Sequence, residues 1–168
     1  MGQMDNKWDK ILQLYYEHPS RSFTIRELAK LTQIPKSTVQ KHLTELKKQN
    51  LVSPHNGVGD SVLFKFKKIH FFIEKIVSSG LIDVLEKELK AETIVLFGSF
   101  RKGESEKESD IDLFVESLVK KEINLKSFEK KISHSIDLFV EPDINKMPDN
   151  LKLNIINGIK LQGFLRLK

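Results

Sequence analysis

VLFGSFRKGESEKESDIDLFV, residues 95–115, is the stretch on which the reading of this chain turns. It opens inside a short apolar run, Thr93-Ile94-Val95-Leu96-Phe97, with the length and composition of a buried strand. The run stops at Gly98-Ser99, and ten residues separate Ser99 from Asp110. Asp110-Ile111-Asp112-Leu113-Phe114-Val115 then reads as a second strand. Side chains alternate between the faces of a strand. Asp110 and Asp112 therefore project on one side, about 6.5–7 Å apart along the backbone, and Ile111, Leu113 and Val115 point the other way into a core. Two carboxylates side by side on an apolar strand repel each other, and burial raises their pKa. A divalent cation removes that cost. Carboxylate oxygens suit Mg²⁺, which keeps waters and takes substrate phosphates as further ligands. Gly98 and the hydroxyl of Ser99 let backbone and side chain come close to phosphate oxygens.

A third acid follows. A helix is predicted at about 122–131, and after it Ile136-Asp137-Leu138-Phe139-Val140 sets one carboxylate among apolar residues. If that strand lies beside the Asp110 strand, Asp137 joins the same cluster. Either motif alone is weak. Glycine-serine, ten residues, Asp-x-Asp and a later strand Asp are specific together.

This pattern resembles the nucleotidyltransferase superfamily related to DNA polymerase β, and most closely its smallest members, the minimal nucleotidyltransferases of prokaryotes. "VLFGSFRKGESEKESDIDLFV" carries the resemblance and "KKISHSIDLFVEP" extends it, so that it covers about residues 93–141. The resemblance implies that Asp110, Asp112 and Asp137 bind two Mg²⁺ ions, with Asp137 also orienting or deprotonating the attacking hydroxyl. It implies that Gly98 and Ser99 hold a nucleoside triphosphate, with ATP implied by the family alone. Where many relatives have a small residue and then Arg, this chain has Arg101 and Lys102, which leaves open which cation meets the phosphates. Ser109 matches the family pattern and is expected to hold the strand or a carboxylate in place. His134 precedes the Asp137 strand and could approach the site, but it reads first as a loop or surface residue.

The first part of the chain reads differently. Trp8, Ile11, Leu12 and Tyr15 recur at helical spacing over 7–17. Thr24 and Glu27 form a capping-box pattern at the start of a second helix with Leu28, Ala29 and Leu31 as its apolar contacts. After Thr32-Gln33-Ile34-Pro35 a third helix is predicted over about 36–49, with Val39, Leu43 and Leu46 on one side. Lys36, Ser37, Gln40, Lys41 and Thr44 lie on its other face, where they can reach phosphates or base edges in a major groove. Val62, Phe64 and Phe66 alternate with Lys65 and Lys67 beyond the glycine-containing loop 55–60, and this reads as a two-stranded ribbon in the place of a wing. Residues 5–68 thereby resemble winged helix-turn-helix transcription regulators, which implies DNA as a partner.

Charge agrees with a division of labour. Residues 1–68 hold twelve Lys/Arg against six Asp/Glu, and residues 69–168 sixteen against seventeen. The basic excess sits entirely in the first part, as expected of a module for polyanions. An α+β architecture follows: a winged helix-turn-helix domain at 1–68, connecting helices at 69–90, and a nucleotidyltransferase domain at 91–168, a mixed sheet with helices packed on it. The apolar helix 69–79 is read either as a connector packed on the second domain or as a homodimer interface. No apolar run approaches the roughly 20 residues of a membrane span. The N-terminus MGQMDNKWDK lacks the apolar core of a secretion signal, and the absence of cysteine fits a reducing cytoplasm.

Two functions fit these halves. One is an Mg²⁺-dependent enzyme that moves AMP from ATP to a hydroxyl, by the family analogy the antitoxin of a HEPN-family toxin. The other is a DNA-binding regulator whose nucleotidyltransferase domain binds or senses nucleotide without turnover.

Overall fold

The computed structural model describes residues 7–167. Residues 1–6, which carry most of the N-terminus read above for a secretion signal, and residue 168 lie outside the described residues. The chain divides into two compact units, Met1–Lys68 and Ile69–Lys168. The architecture is α+β.

In the first unit α1 (Lys7–Glu17) buries Ile11, Leu12, Tyr15 and Tyr16. The helix α2 (Ile25–Thr32) starts where the capping-box pattern placed it. Thr24 Oγ1 accepts from the Glu27 backbone N–H at 3.2 Å, and Glu27 Oε2 accepts from the Thr24 N–H at 2.8 Å. Of its apolar residues Leu28 is buried, whereas Leu31 is exposed. Gln33 in the left-handed conformation ends α2 and turns the chain into α3 (Lys36–Lys48), which buries Val39, Leu43 and Leu46. Trp8 of α1 meets His42 of α3 edge-on, ring centroids 6.1 Å apart.

The wing is smaller than the sequence implied. It is a single bridge, Val52 to Val58, closed by hydrogen bonds from the Ser53 N–H to the Gly57 carbonyl (2.9 Å) and from the Phe23 N–H to the Asn56 carbonyl (3.0 Å). The predicted second strand does not exist. Residues from Val62 onward form α4 (Val62–Ser78). The period-two alternation of Val62, Phe64 and Phe66 overlies a period-four stripe, Phe64, Lys68, Phe72 and Ile76, and those four are the buried positions. Ser61 starts the helix by accepting the Phe64 N–H on its hydroxyl at 3.1 Å. A six-residue alternation cannot outweigh a helical face that runs for 17 residues.

Gly80, at φ 85°, separates α4 from α5 (Leu81–Leu89). The sheet follows: β1 (Thr93–Phe97), the short helix α6 (Gly98–Lys102), β2 (Ile111–Glu116), α7 (Lys126–Ile132), β3 (Ile136–Glu141), α8 (Asp149–Ile156) and β4 (Ile159–Gln162). Strand order is β3-β2-β1-β4, with β2 and β3 parallel and the other pairs antiparallel. α7 begins later than the sequence implied. Both faces of the central strands are buried. One face carries Ile94, Leu96, Ile111, Leu113 and Val115. The other carries Val95, Phe97 and Phe114, packed with Ile144, Ile155 and parts of Phe139, Met147, Leu151, Ile156 and Leu165. Among the described residues no helix is long and apolar enough to cross a membrane.

Candidate functional site

Strand register decides which side chains meet. Phe97 pairs with Asp112, and Asp112 pairs with Asp137. One row inward, Val95 pairs with Phe114 and Phe114 with Phe139. Paired residues share a face, so Asp112 and Asp137 stand side by side at the end of the face whose middle is apolar core. Asp110, two residues before Asp112 and just outside β2, has the same parity and faces the same way. The parallel pairing of β2 and β3 therefore brings all three sequence-predicted acids to one end of one face.

Their environments differ. Asp110 and Asp137 are exposed, and Asp112 is half-buried. Burial, first, and then the charges of Asp137 and Asp110 hold the Asp112 carboxyl above its ordinary range. Negative charge is thus concentrated at one end of the sheet face, around a carboxylate that burial already disfavours as an anion. Three carboxylates are a hard, oxygen-only donor set of the kind Mg²⁺ accepts, so these residues fit that ion. Among the described residues no three His, Cys, Asp or Glu side chains already close around a metal position. Mg²⁺ does not require such a cage, because it keeps waters and takes phosphates as ligands.

Gly98 is needed here for two reasons. Its φ is 68°, in the left-handed region, and a Cβ on it would lie 1.9 Å from Asp112 Oδ2. The backbone at the end of β1 thus lies directly against the central carboxylate. α6 begins at Gly98 and carries Ser99, Arg101 and Lys102 within five residues before Gly103, at φ 70°, ends it. Lys102 is exposed. Arg101 is half-buried, and its Nε is enclosed with no hydrogen-bond partner among the described residues. The two cations whose roles the sequence left open thus differ in exposure.

Ser109 does part of what its position implied: its hydroxyl accepts the Glu106 N–H at 2.8 Å and closes the loop before Asp110. His134 lies in the turn between α7 and β3, as read, but it is not a surface residue. It is buried, its ring packs against Phe72 and Phe100, and its Nδ1 lies 3.0 Å from the Ser109 carbonyl. With no second ligand-type residue at a telling spacing, the sequence held no signal for it except that it stands three residues before Asp137.

In the first unit Lys36, Ser37, Gln40, Lys41 and Thr44 are all exposed on the side of α3 opposite Val39, Leu43 and Leu46. Thr44 Oγ1 donates to the Gln40 carbonyl within the helix, at 3.0 Å. None of the five is drawn into the core, and together they form a continuous polar and basic helix face.

Comparison with known proteins finds a different family for each part of the chain. Residues 79–163 match the family model described as Polymerase beta, Nucleotidyltransferase, and residues 8–59 match that of the MarR family. No curated protein and no solved structure matches the chain.

Proposed function

This chain belongs to the polymerase beta nucleotidyltransferase family, and from that premise we propose that it transfers a nucleoside monophosphate, AMP from ATP, to a hydroxyl while its MarR-like unit binds DNA. The observation that carries the reading is the register that sets Asp112 beside Asp137 on the face that also holds Asp110. In this reading those three carboxylates hold two Mg²⁺ ions. When bound, Mg²⁺ polarises the reacting phosphoryl group and lowers the pKa of an acceptor oxygen. Gly98 gives the triphosphate room to approach Asp112, the Ser99 hydroxyl donates to a phosphate oxygen, and Arg101, with Lys102 behind it, offsets charge on the phosphates. Asp137 takes the proton of the acceptor hydroxyl. The acceptor oxygen bonds to the α-phosphorus, the bond to the β-phosphate oxygen breaks, and pyrophosphate leaves. A nucleoside triphosphate substrate would be met in the cytoplasm.

The acceptor we propose is a hydroxyl on a partner protein, a HEPN-family toxin, and this rests on the family resemblance alone. DNA contacts are assigned to Lys36, Ser37, Gln40, Lys41 and Thr44, since they form the exposed face of the third helix of a helix-turn-helix. A homodimer through the apolar helix 69–79 remains part of this reading; in that stretch Val77 is exposed, whereas Phe72 and Ile76 are buried within the chain.

The deciding measurement is incubation with Mg²⁺ and α-labelled ATP, with and without the neighbouring gene's product. Label should appear on an acceptor and be lost in Asp110→Asn and Asp112→Asn. Tight nucleotide binding with no transfer to any acceptor would instead make the domain a nucleotide sensor.

A further inference from the structure

Asp110 stands outside the ladder of β2, whose first residue is Ile111, and it is exposed. A carboxylate at the fraying end of a strand needs something else to fix it. Two hydrogen bonds flank it. On one side the Ile111 N–H donates to the Ser135 carbonyl at 2.9 Å. On the other, His134 Nδ1 lies 3.0 Å from the Ser109 carbonyl. A carbonyl oxygen only accepts, so Nδ1 carries the hydrogen and donates it. Both tethers come from the turn that leads directly into β3 and Asp137.

The ring that makes the second tether is itself fixed. His134, Phe100 and Phe72 form a mutually edge-on triangle, with centroids 4.9 Å apart for Phe100–His134, 5.3 Å for Phe72–His134 and 4.8 Å for Phe72–Phe100. Phe100 belongs to α6, one residue after Ser99. The imidazole therefore touches the glycine-serine helix, bonds the residue before Asp110, and sits on the chain that carries Asp137. Burying an imidazole among phenyl rings costs free energy that a third phenylalanine would not, unless its polar edge is used.

We propose that His134 is a positioning residue of the nucleotidyl-transfer site, which holds Asp110 in line with Asp112 and Asp137 through its bond to the Ser109 carbonyl. This rests on the transfer reaction proposed above. Loss of the bond frees the Asp110 peptide on one side and leaves Asp137 and the fold in place. Metal binding and the chemical step should suffer more than nucleotide binding.

The test uses His134→Phe, which keeps the ring and removes the donor, and His134→Asn, which places an amide N–H near the Nδ1 position and gives up the ring. For each, the kcat and nucleotide KM of transfer, Mn²⁺ binding by electron paramagnetic resonance without nucleotide, and the thermal midpoint are measured. His134→Phe should lose about ten- to a hundred-fold in kcat and in Mn²⁺ affinity, the usual loss when a ligand's hydrogen-bonded support is removed. Its nucleotide KM should change far less. His134→Asn should recover most of both while being the less stable variant, so that activity and stability rank in opposite orders. If His134→Phe binds Mn²⁺ and transfers like the wild type, or if His134→Asn is no better than His134→Phe, the proposal is wrong. Absence of transfer in the wild type, or transfer undiminished in Asp110→Asn, would overturn the reaction, and the Mn²⁺ titration would still decide on His134.

Discussion

The two units carry their working residues at different cost. In the winged-helix unit the candidate DNA contacts, Lys36 to Thr44, occupy the solvent face of α3, and the core face beneath them is Val39, Leu43 and Leu46. Nothing about the fold depends on the contacts. In the nucleotidyltransferase unit the working residues lie in the sheet. Asp112 sits half-buried beside Asp137, with Phe97 opposite it on β1 and Gly98 pressed against its carboxylate. A recognition surface can thus be added to a stable helix, whereas a carboxylate cluster aligned by strand register must be built into the fold against its own repulsion. Function and stability should be separable in the first unit and opposed in the second.

Gly98→Ala should have the largest effect. The added methyl would meet Asp112 Oδ2 at 1.9 Å, and the left-handed φ of 68° strains any residue with a side chain. Asp112 must move or the end of β1 must shift. Displacement by about 1 Å in a site of this kind costs about a hundred-fold in rate. Transfer should fall by at least that factor with the helical content of the first unit, read by circular dichroism, unchanged. Near-normal transfer in this variant would mean that the chemistry lies elsewhere.

Next in size is the loss of DNA binding in Lys36→Ala with Lys41→Ala. If each lysine neutralises one phosphate, the slope of log affinity against log salt should become shallower by about 1.8 for the pair. Both side chains are exposed, so the thermal midpoint should stay where it was. An unchanged salt slope removes α3 as the recognition helix. A lowered midpoint would break the contrast between the units.

The same contrast explains what could be read from the sequence. The acids were legible because period-two alternation fixes the face on which a strand residue projects: Asp112 and Asp137 stand between apolar neighbours, and Asp110 falls two residues before Asp112. The capping box at Thr24 and Glu27 was legible because it is local. The second wing strand was misread because Val62 to Lys67 satisfies both periods, and only the continuation to Ser78 resolves it. The burial of His134 was illegible for a different reason. Its partners, Ser109, Phe100 and Phe72, are distant in the chain, and no local pattern encodes a contact that only the closed sheet creates. Arg101 was ambiguous with Lys102 in sequence because burial, which separates them, is a property of the fold.

The smallest effects concern stability, where the two units should respond to pH in opposite senses. Asp112 has its carboxyl held above the ordinary range by burial and by its acidic neighbours. An acid with a raised folded pKa stabilises the fold while protonated, and that contribution is lost as pH rises through the folded pKa. At neutral pH the metal-free protein bears the full penalty. Asp112→Asn, inactive in transfer, should therefore melt a few degrees higher than the wild type without metal. The gap should close as pH falls through the raised pKa of Asp112. Glu27 is the reverse case. The Thr24 backbone N–H, then the Thr24 hydroxyl and Arg21, push its carboxyl down from 4.5 to about 2. Its contribution is present above 4.5 and is lost as pH falls through about 2. Glu27→Gln should melt below the wild type by an amount that stays constant from neutral pH down to mildly acid conditions and shrinks only below them. There is thus an acid window in which the carboxylate cluster has been relieved and the cap on α2 still holds. Thermal melts of the three proteins across that window, with chelator present, measure both gaps. An Asp112→Asn variant no more stable than the wild type at neutral pH would mean that the sheet carries its acids without cost, and the contrast between the units would then be one of geometry alone.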